Sequence, residues 1–515
     1  MKTGHLLRIF MAIKEFFLEC NNCSIEFAVF ICGAVVMIFE LIGSRLIGPY
    51  VGTSIYAWTS LIGVILASLS LGYYFGGRFA DKNSSRAILG TIIAISATMI
   101  CFTVILKDVG FLLVRMPLPI EIKSIIISII LFAPASFFLG MVSPYAVRLR
   151  INKLETVGRE TGNLYALSTF GSIFGTFLAG FFIIPHFGSI ISLFIIAFAL
   201  LIVSIFLIGK QIFKGLWIII ILLVPITLTI FYYLFNFGYY NFIIADIDTQ
   251  YNRVWIYKGT DPETKKPTIN FSTDPFGTQA AVFSDGTDDL VFDYTKFFRL
   301  AGYLSPNIKN ALMIGGCVYT YPRDFVKNFP EAHMDIVEID PTMTEIAKKY
   351  FYFKESSNIT IFNQDGRIFL NENKKKYDVI FGDAFNSASS IPFQLTTREM
   401  VKKEFDSLND DGVVLLNVIS SISGEKGKFL RAEYATYKEI FPIVLVFLAS
   451  DPSSPGESQN VIIVALKSEK AFDREIIGEE FREYLSHLWA GPIITDMPVL
   501  TDDFAPVEYY KRKSI

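Results

Sequence analysis

Charged side chains are scarce in this sequence. They make up 18% of its 515 residues, while 52% are hydrophobic and the mean hydropathy is +0.45. An average soluble domain is about 25% charged, and here the shortage is concentrated in the first half, where long runs carry no Lys, Arg, Asp or Glu. An ordinary soluble chain is therefore excluded. The net charge of −3 and the lack of Arg/Lys blocks interleaved with aromatics leave no footprint for nucleic acid. Cysteine is sparse too: Cys20, Cys23, Cys32, Cys101 and Cys317 are too few and too scattered for a disulfide framework. Cys20 and Cys23 have C-x-x-C spacing, but no second pair or His pair accompanies them, which argues against zinc. Isolated thiols are expected, and no metal site.

What the first half does contain is apolar length. A hydrocarbon core about 30 Å thick needs about 20 apolar helical residues at about 1.5 Å each. Seven runs qualify: 25–44, 58–77, 88–106, 124–143, 163–184, 189–208 and 216–235. The first is expected to be a retained span, not a cleaved signal peptide, because it starts some two dozen residues in and more spans follow. The preceding HLLRIFMAIKEFF is amphipathic and suits the membrane interface. Gly72 with Gly76, and Gly171 with Gly175, set small residues four apart, as close helix packing requires. Glu40, near the end of the first run, is either a functional ionisable group at membrane depth or, the reading favoured here, the partner of Arg45 at the interface. The stretch GYYFGGRFADK, Gly72 to Lys82, resembles the loop between the second and third helices of major facilitator transporters.

Arg78, Lys82 and Arg86 follow the second run, Arg148, Arg150, Lys153 and Arg159 the fourth, and Lys210 and Lys214 the sixth. By the positive-inside rule these loops and the N-terminus face the cytoplasm. Seven crossings would then put the C-terminal half outside. Its expected ligand, argued below, is made in the cytosol, so the sixth or seventh run is expected not to cross, leaving the C-terminal half cytoplasmic on the cell (inner) membrane.

After residue 245 the pattern changes to short strands, turns and helices. VWIYKG, PTINFS and QAAVFSDG read as strands of a small β-rich lead-in. NALMIGG, Asn310 to Gly316, is an apolar strand running into paired glycines, then a helix, then the buried strand MDIVEID, Met334 to Asp340. That order describes a βαβ unit. Glycine at a strand end lets backbone approach a nucleoside, and an acid ending the next strand can take two ribose hydroxyls. Glu338, 23 residues after Gly315, is placed for this. NITIFNQDG ends in Asp365, suited to an adenine amino group, and KYDVIFGDAF carries Asp383 to the same edge. The expected fold is an α-helical membrane bundle plus an α/β, Rossmann-like (methyltransferase-type) doubly wound sheet with a β-rich lead-in. The expected segments are 1–23 amphipathic, 24–237 transmembrane, 246–305 lead-in and 306–515 Rossmann-like.

IGG, VEIDP, QDGR, YDVIFGDAF and LNDDGVVLLNV, in this order, resemble the polyamine aminopropyltransferase (spermidine synthase) family, and with the apolar half in front the whole resembles its membrane-fused members. The resemblance implies a substrate, decarboxylated S-adenosylmethionine, whose aminopropyl arm alkylates a diamine with release of methylthioadenosine. It implies that Gly315 and Gly316 form the glycine turn, Glu338 the ribose ligand, Asp365 the adenine ligand and Asp383 the first carboxylate of the catalytic loop.

The departures from the family cluster on the acceptor side. Where the family reads Gly-Gly-Gly-Asp, this chain has Gly315, Gly316, Cys317, Val318. Asn386 stands where the family's catalytic loop has its second acid, Phe292 stands where an acceptor-binding tyrosine is expected, and DPSSPGESQN, Asp451 to Asn460, lacks the family's tyrosine. A diamine is a dication near neutral pH, its amine pKa being about 10, and asparagine cannot neutralise or deprotonate it. Valine at 318 does not repel the α-carboxylate of intact S-adenosylmethionine. Tyr319 and Tyr321 either face the sulfonium through a cation–π contact or are core aromatics.

The candidate set is therefore Asp383 and Asn386 for catalysis, and Gly315, Gly316, Val318, Tyr319, Glu338, Asp340, Asp365 and Gly366 for the sulfonium nucleoside. Three readings follow: transfer of the three-carbon arm, acceptor-independent lyase or cyclising cleavage of S-adenosylmethionine, and a transporter or sensor with a nucleoside-binding regulatory domain. The expected partners are the sulfonium nucleoside, the lipid bilayer, a polyamine and a second copy of the chain.

Overall fold

The computed structural model describes residues 23–209, 242–384, 391–469 and 479–511, apart from 53, 152, 276 and 306. The chain divides into two compact units, Met1–Asn241 and Phe242–Ile515. Of the sequence expectations, the N-terminal amphipathic segment, the run 216–235 and Asn386 lie outside the described residues.

The first unit is built from the apolar runs. Its helices are α1 (Cys23–Val51), α2 (Ile55–Lys82), α3 (Arg86–Leu106), α4 (Ile120–Arg150), α5 (Val157–Leu178) and α6 (Ile184–Ile208), with a π-helical turn, Ala179–Ile183, joining the last two. Among the described residues, five helical stretches are long and apolar enough to cross a membrane, the last being the 55-residue run Leu154–Ile208. That run does not extend straight. Gly188, at φ 67° and ψ −177°, breaks it, a conformation open to glycine.

Packing shows where the two halves of the run go. Gly171 and Gly175 of α5 lie against the backbone of Phe30 and Ala34 of α1, so these helices run parallel. Gly90, at the start of α3, lies against Ser204 and Ile208 at the end of α6. Arg150 bonds Glu26 at 2.9 Å and Glu160 at 3.0 Å, gathering the ends of α1, α4 and α5. The chain thus turns back at Gly188, and α6 returns to the end at which α1 begins. Gly72 and Gly76 let α2 approach α4 at Phe137, Gly140 and Met141.

Two expectations are corrected here. The Glu40–Arg45 pair does not form, because five residues turn about 140° around a helix, and Glu40 makes no hydrogen bond or ion pair among the described residues. Cys23 is disulfide-bonded, whereas Cys32, Cys101 and Cys317 are free thiols.

The second unit opens with an antiparallel sheet in the order β1 (Ile243–Asp248), β2 (Arg253–Thr260), β3 (Pro267–Ser272), β4 (Ala280–Phe283). The larger sheet holds β5 (Asn310–Ile314), β6 (His333–Val337), β7 (Ile359–Phe362), β8 (Tyr377–Gly382), β9 (Leu408–Ser420), β10 (Ile443–Leu448) and β11 (Gln459–Leu466). Its order is β10-β11-β9-β8-β5-β6-β7, with β5 to β9 parallel and β11 antiparallel to both of its neighbours, β9 and β10. Helices α7 (Thr320–Asn328), α8 (Pro341–Tyr350), α9 (Gly366–Glu372), α10 (Arg398–Ser407) and α11 (Lys428–Ile440) make the crossovers. Period-two alternation sends Ala311, Met313, Val379 and Phe381 to one apolar layer and Leu312, Ile314, Ile380 and Val414 to the other. The strand order reverses between β5 and β8, and a crevice at such a switch point, outside the carboxyl ends of the strands, is where doubly wound sheets bind ligands.

A buried carboxyl in this unit ties its stability to pH. Glu404 on α10 is 2% exposed and accepts the Tyr437 hydroxyl of α11 at 2.7 Å, while burial pushes its pKa up to about 7. Its folded pKa lies above the unfolded value of about 4.3, so its contribution to stability is whole below that pH and is lost as pH rises to about 7. Glu404→Gln is expected to raise Tm by a few degrees above pH 7 and to change it little near pH 4, because about 1 kcal/mol moves Tm by about 2–4 °C at this size. Circular dichroism melts across pH check this, and an equal shift at both pH values would contradict it.

Candidate active site

The glycine turn after β5 is held by its backbone. Gly315 N donates to Val337 O at 2.9 Å and Asp383 N donates to Ile314 O at 2.9 Å, tying the turn to β6 and β8. Gly315 has φ 90°, and a Cβ there would run into the Asp383 carbonyl oxygen. Only glycine fits both constraints. Cys317 and Tyr319 follow with φ 49° and 58°, a left-handed conformation that costs non-glycine residues about 1 kcal/mol or more each.

Glu338 lies at the end of β6 and is 8% exposed. Its Oε2 accepts from Gly316 N and Cys317 N, each at 3.0 Å, and Oε1 accepts from Asp340 N at 3.0 Å. Burial raises its pKa and these three N–H groups oppose the rise. Asp340 caps α8 by accepting from Thr342 N at 3.0 Å, while its buried Oδ2 has no partner among the described residues. Asp365 caps α9 by accepting from Arg367 N at 2.8 Å and Ile368 N at 3.1 Å, and its Oδ2 accepts from Gln394 Nε2 at 3.3 Å. Gly366 lets α9 approach Ile314 of β5.

Asp383, just past β8, stands across the turn. It accepts from the Tyr294 hydroxyl at 3.2 Å and from Asn417 Nδ2 of β9 at 3.0 Å. Burial pushes its pKa up to about 6, against the pull of these two hydrogen bonds. Burial, with Asp383 close by, likewise keeps the Tyr294 phenol protonated. The Cys317 thiol shares this space: burial raises its pKa first, then the charges of Glu338 and Asp383. Asn417 is 6% exposed, and its Oδ1 has no hydrogen-bond partner among the described residues.

The remaining candidates sit deeper. Val318 is wholly buried, and Tyr319 packs its ring 4.6 Å from that of Phe353 with its hydroxyl 2.8 Å from Thr344 Oγ1. Tyr321 donates to Phe298 O at 3.1 Å from within the core. Both tyrosines are core aromatics here. The structure thus brings Gly315, Gly316, Glu338 and Asp383 to one crevice, with Asp340, Asp365 and Gly366 at the neighbouring strand ends.

Sequence reasoning missed Tyr294, Asn417, Gln394 and Tyr251. Tyr251, on the β1–β2 turn, stands close enough to Asp340, Asp365 and Glu338 for their charges to add to the rise in its pKa that burial begins. Tyr294 was legible as the phenol two residues past Phe292. Asn417 carried a signal as the one polar residue in the buried run VVLLNV.

Residues 291–474 match the Spermine/spermidine synthase domain. The polyamine aminopropyltransferase of Vibrio vulnificus (strain CMCP6) is 30% identical over 252 residues, covering 45% of this chain and 80% of that protein. The probable polyamine aminopropyl transferase of Bifidobacterium longum (strain NCC 2705) is 28% identical over 254 residues, covering 45% of this chain and 55% of that protein, about half its length. Among solved structures, a probable spermidine synthase from Corynebacterium glutamicum ATCC 13032 aligns with a TM-score of 0.39 and 19% identity, covering 48% of this chain and 88% of that one. With a relative at 30% identity matched over four-fifths of its length, the chain belongs to the polyamine aminopropyltransferase (spermidine synthase) family, as a transferase of the aminopropyltransferase type.

Proposed function

We propose that this is a membrane-bound enzyme that binds S-adenosylmethionine or its decarboxylated form and cleaves or transfers the three-carbon arm, releasing methylthioadenosine. The observation that carries the reading is Asp383, held by Tyr294 and Asn417, facing the glycine turn beside Glu338. Glu338 suits the ribose hydroxyls, Asp365 the adenine edge, and the strand ends a flat nucleoside. A sulfonium is already an activated leaving group, so the protein's task is to align a nucleophile with the carbon it attacks, and orientation alone contributes several kcal/mol.

In transfer, Asp383 would hold and deprotonate the acceptor ammonium. The unpartnered Asn417 Oδ1 could accept one of its N–H groups, relieving a burial cost of about 1–3 kcal/mol. In cleavage, the α-carboxylate of intact S-adenosylmethionine would attack its own γ-carbon, close a lactone and expel methylthioadenosine, and no base is needed. A thiol and a buried valine at 317 and 318, in place of an aspartate, favour this second reading, since neither repels a carboxylate. Incubating the purified chain with each sulfonium, with and without putrescine, separates them by mass spectrometry. Product only with putrescine supports transfer; product without it supports cleavage.

The reading places the second unit in the cytoplasm on the inner membrane. Because α6 returns to the end at which α1 begins, the basic loops there would be cytoplasmic. Cysteine introduced at Asn373 is expected to resist a membrane-impermeant thiol reagent in intact cells, and Met116→Cys, in the loop at the other end of the helices, is expected to react. Labelling at position 373 would overturn this topology.

A further inference from the structure

Among the described helices α1 to α6, the charged residues gather at the ends, except for Glu40 and Arg45 of α1. The Arg78, Asp81 and Lys82 group ends α2, Arg86 begins α3, Glu121 and Lys123 begin α4, Arg148 and Arg150 end it, and Arg159 and Glu160 begin α5. The titratable side chain of α6 nearest its start is His186, whose Nδ1 lies 2.8 Å from Phe182 O. Glu40 is the acid in the apolar body of α1, half-buried and without a hydrogen bond or ion pair among the described residues. An ionisable side chain at membrane depth is costly and is by default functional.

Its position on α1 is informative. Ser172 Oγ of α5 donates to Gly33 O at 3.1 Å. The two helices run parallel, so seven residues on, two turns along the same face, Gly33 leads to Glu40 and Ser172 to Ala179. Ala179 opens the π-helical turn Ala179–Ile183. A π-turn bonds i to i+5, so it disrupts the regular ladder of carbonyl partners, and such turns recur at functional sites. A neutral carboxylic acid can donate its O–H to a carbonyl left short of a partner; a carboxylate cannot. Partial exposure leaves a path for a proton to arrive and leave.

We propose that Glu40 is a proton-binding site inside the helical unit, taking up and releasing one proton at membrane depth beside the π-turn. Among the described residues, no cation faces it from the bodies of α2, α3, α4, α5 or α6, and Arg45 on its own helix is turned about 140° away. A proton can therefore serve as its counter-charge among the described residues.

The proposal rests on the reading that the unit spans a membrane, which retention of the full chain in carbonate-washed membranes tests separately. The decisive experiment is an infrared pH titration of the membrane-embedded full chain, taken as the difference between wild type and Glu40→Gln. A carboxylic-acid C=O band is expected to persist above the usual glutamate pKa of about 4.3 and to convert to a carboxylate band as pH rises. A carboxylate at every pH above that value, or an acid at every pH, would each overturn it. Should Glu40→Gln not accumulate, Glu40→Asp keeps the test, because the titrating band must then shift in frequency.

Discussion

Asp383→Asn is expected to slow methylthioadenosine release by at least about tenfold, with the fold of the second unit intact. Asparagine keeps the size and one acceptor, so it can still take a hydrogen bond from Tyr294 or Asn417. It loses the charge that would hold an ammonium or stabilise charge developing in the transition state, and such electrostatic contributions are commonly worth a hundredfold or more. The pH profile carries the same signature. With its pKa pushed up to about 6, Asp383 is ionised at neutral pH and protonated below, so the rate should fall as pH drops through about 6. Tyr294→Phe removes a hydrogen bond that lowers that pKa, so its acid limb should move to higher pH. An unchanged rate in Asp383→Asn, measured in single-turnover assays, would remove Asp383 from the chemistry.

Glu338→Ala should weaken binding of S-adenosylmethionine or methylthioadenosine by about tenfold to a hundredfold, the equivalent of about 1–3 kcal/mol for a lost charged acceptor. Two effects combine in this loss. In the proposed site the ribose hydroxyls would lose their acceptor, and the N–H groups of Gly316, Cys317 and Asp340 lose theirs, which loosens the glycine turn. Glu338→Gln should recover little, because its amide would turn an N–H toward backbone N–H groups. Asp365→Ala should weaken binding to a similar degree, since its capping of α9 and its contact with Gln394 are lost together. Calorimetry would decide, and undiminished affinity in both alanine variants would contradict the nucleoside site.

Much of this architecture was written in local patterns. Length without charge gave the helices, and the order strand, glycine, helix, strand ending in Glu338 gave the parallel core and its crevice. What was not legible depends on contacts between distant segments. Tyr294 meets Asp383 across 89 residues and Asn417 meets it across 34, and no spacing rule reaches that far. Val318 looked like a pocket residue because it occupies an aspartate's place, yet the left-handed turns at Cys317 and Tyr319 bury it and leave the thiol beside Asp383. Glu40 and Arg45 looked paired in one dimension and are separated by helical geometry. The hairpin at Gly188 needed the contacts of Gly90 and Gly171 to be seen as a return rather than a long helix.

The central claim is that the crevice between the glycine turn and Asp383 breaks the bond between sulfonium sulfur and the three-carbon arm. Its most direct test is methylthioadenosine formation by the purified full chain, from decarboxylated and from intact S-adenosylmethionine, followed beside the Asp383→Asn variant. The account predicts methylthioadenosine from at least one sulfonium, formed at least about tenfold more slowly by the variant. No methylthioadenosine from either sulfonium, with putrescine or without, would contradict it and leave a domain that only binds.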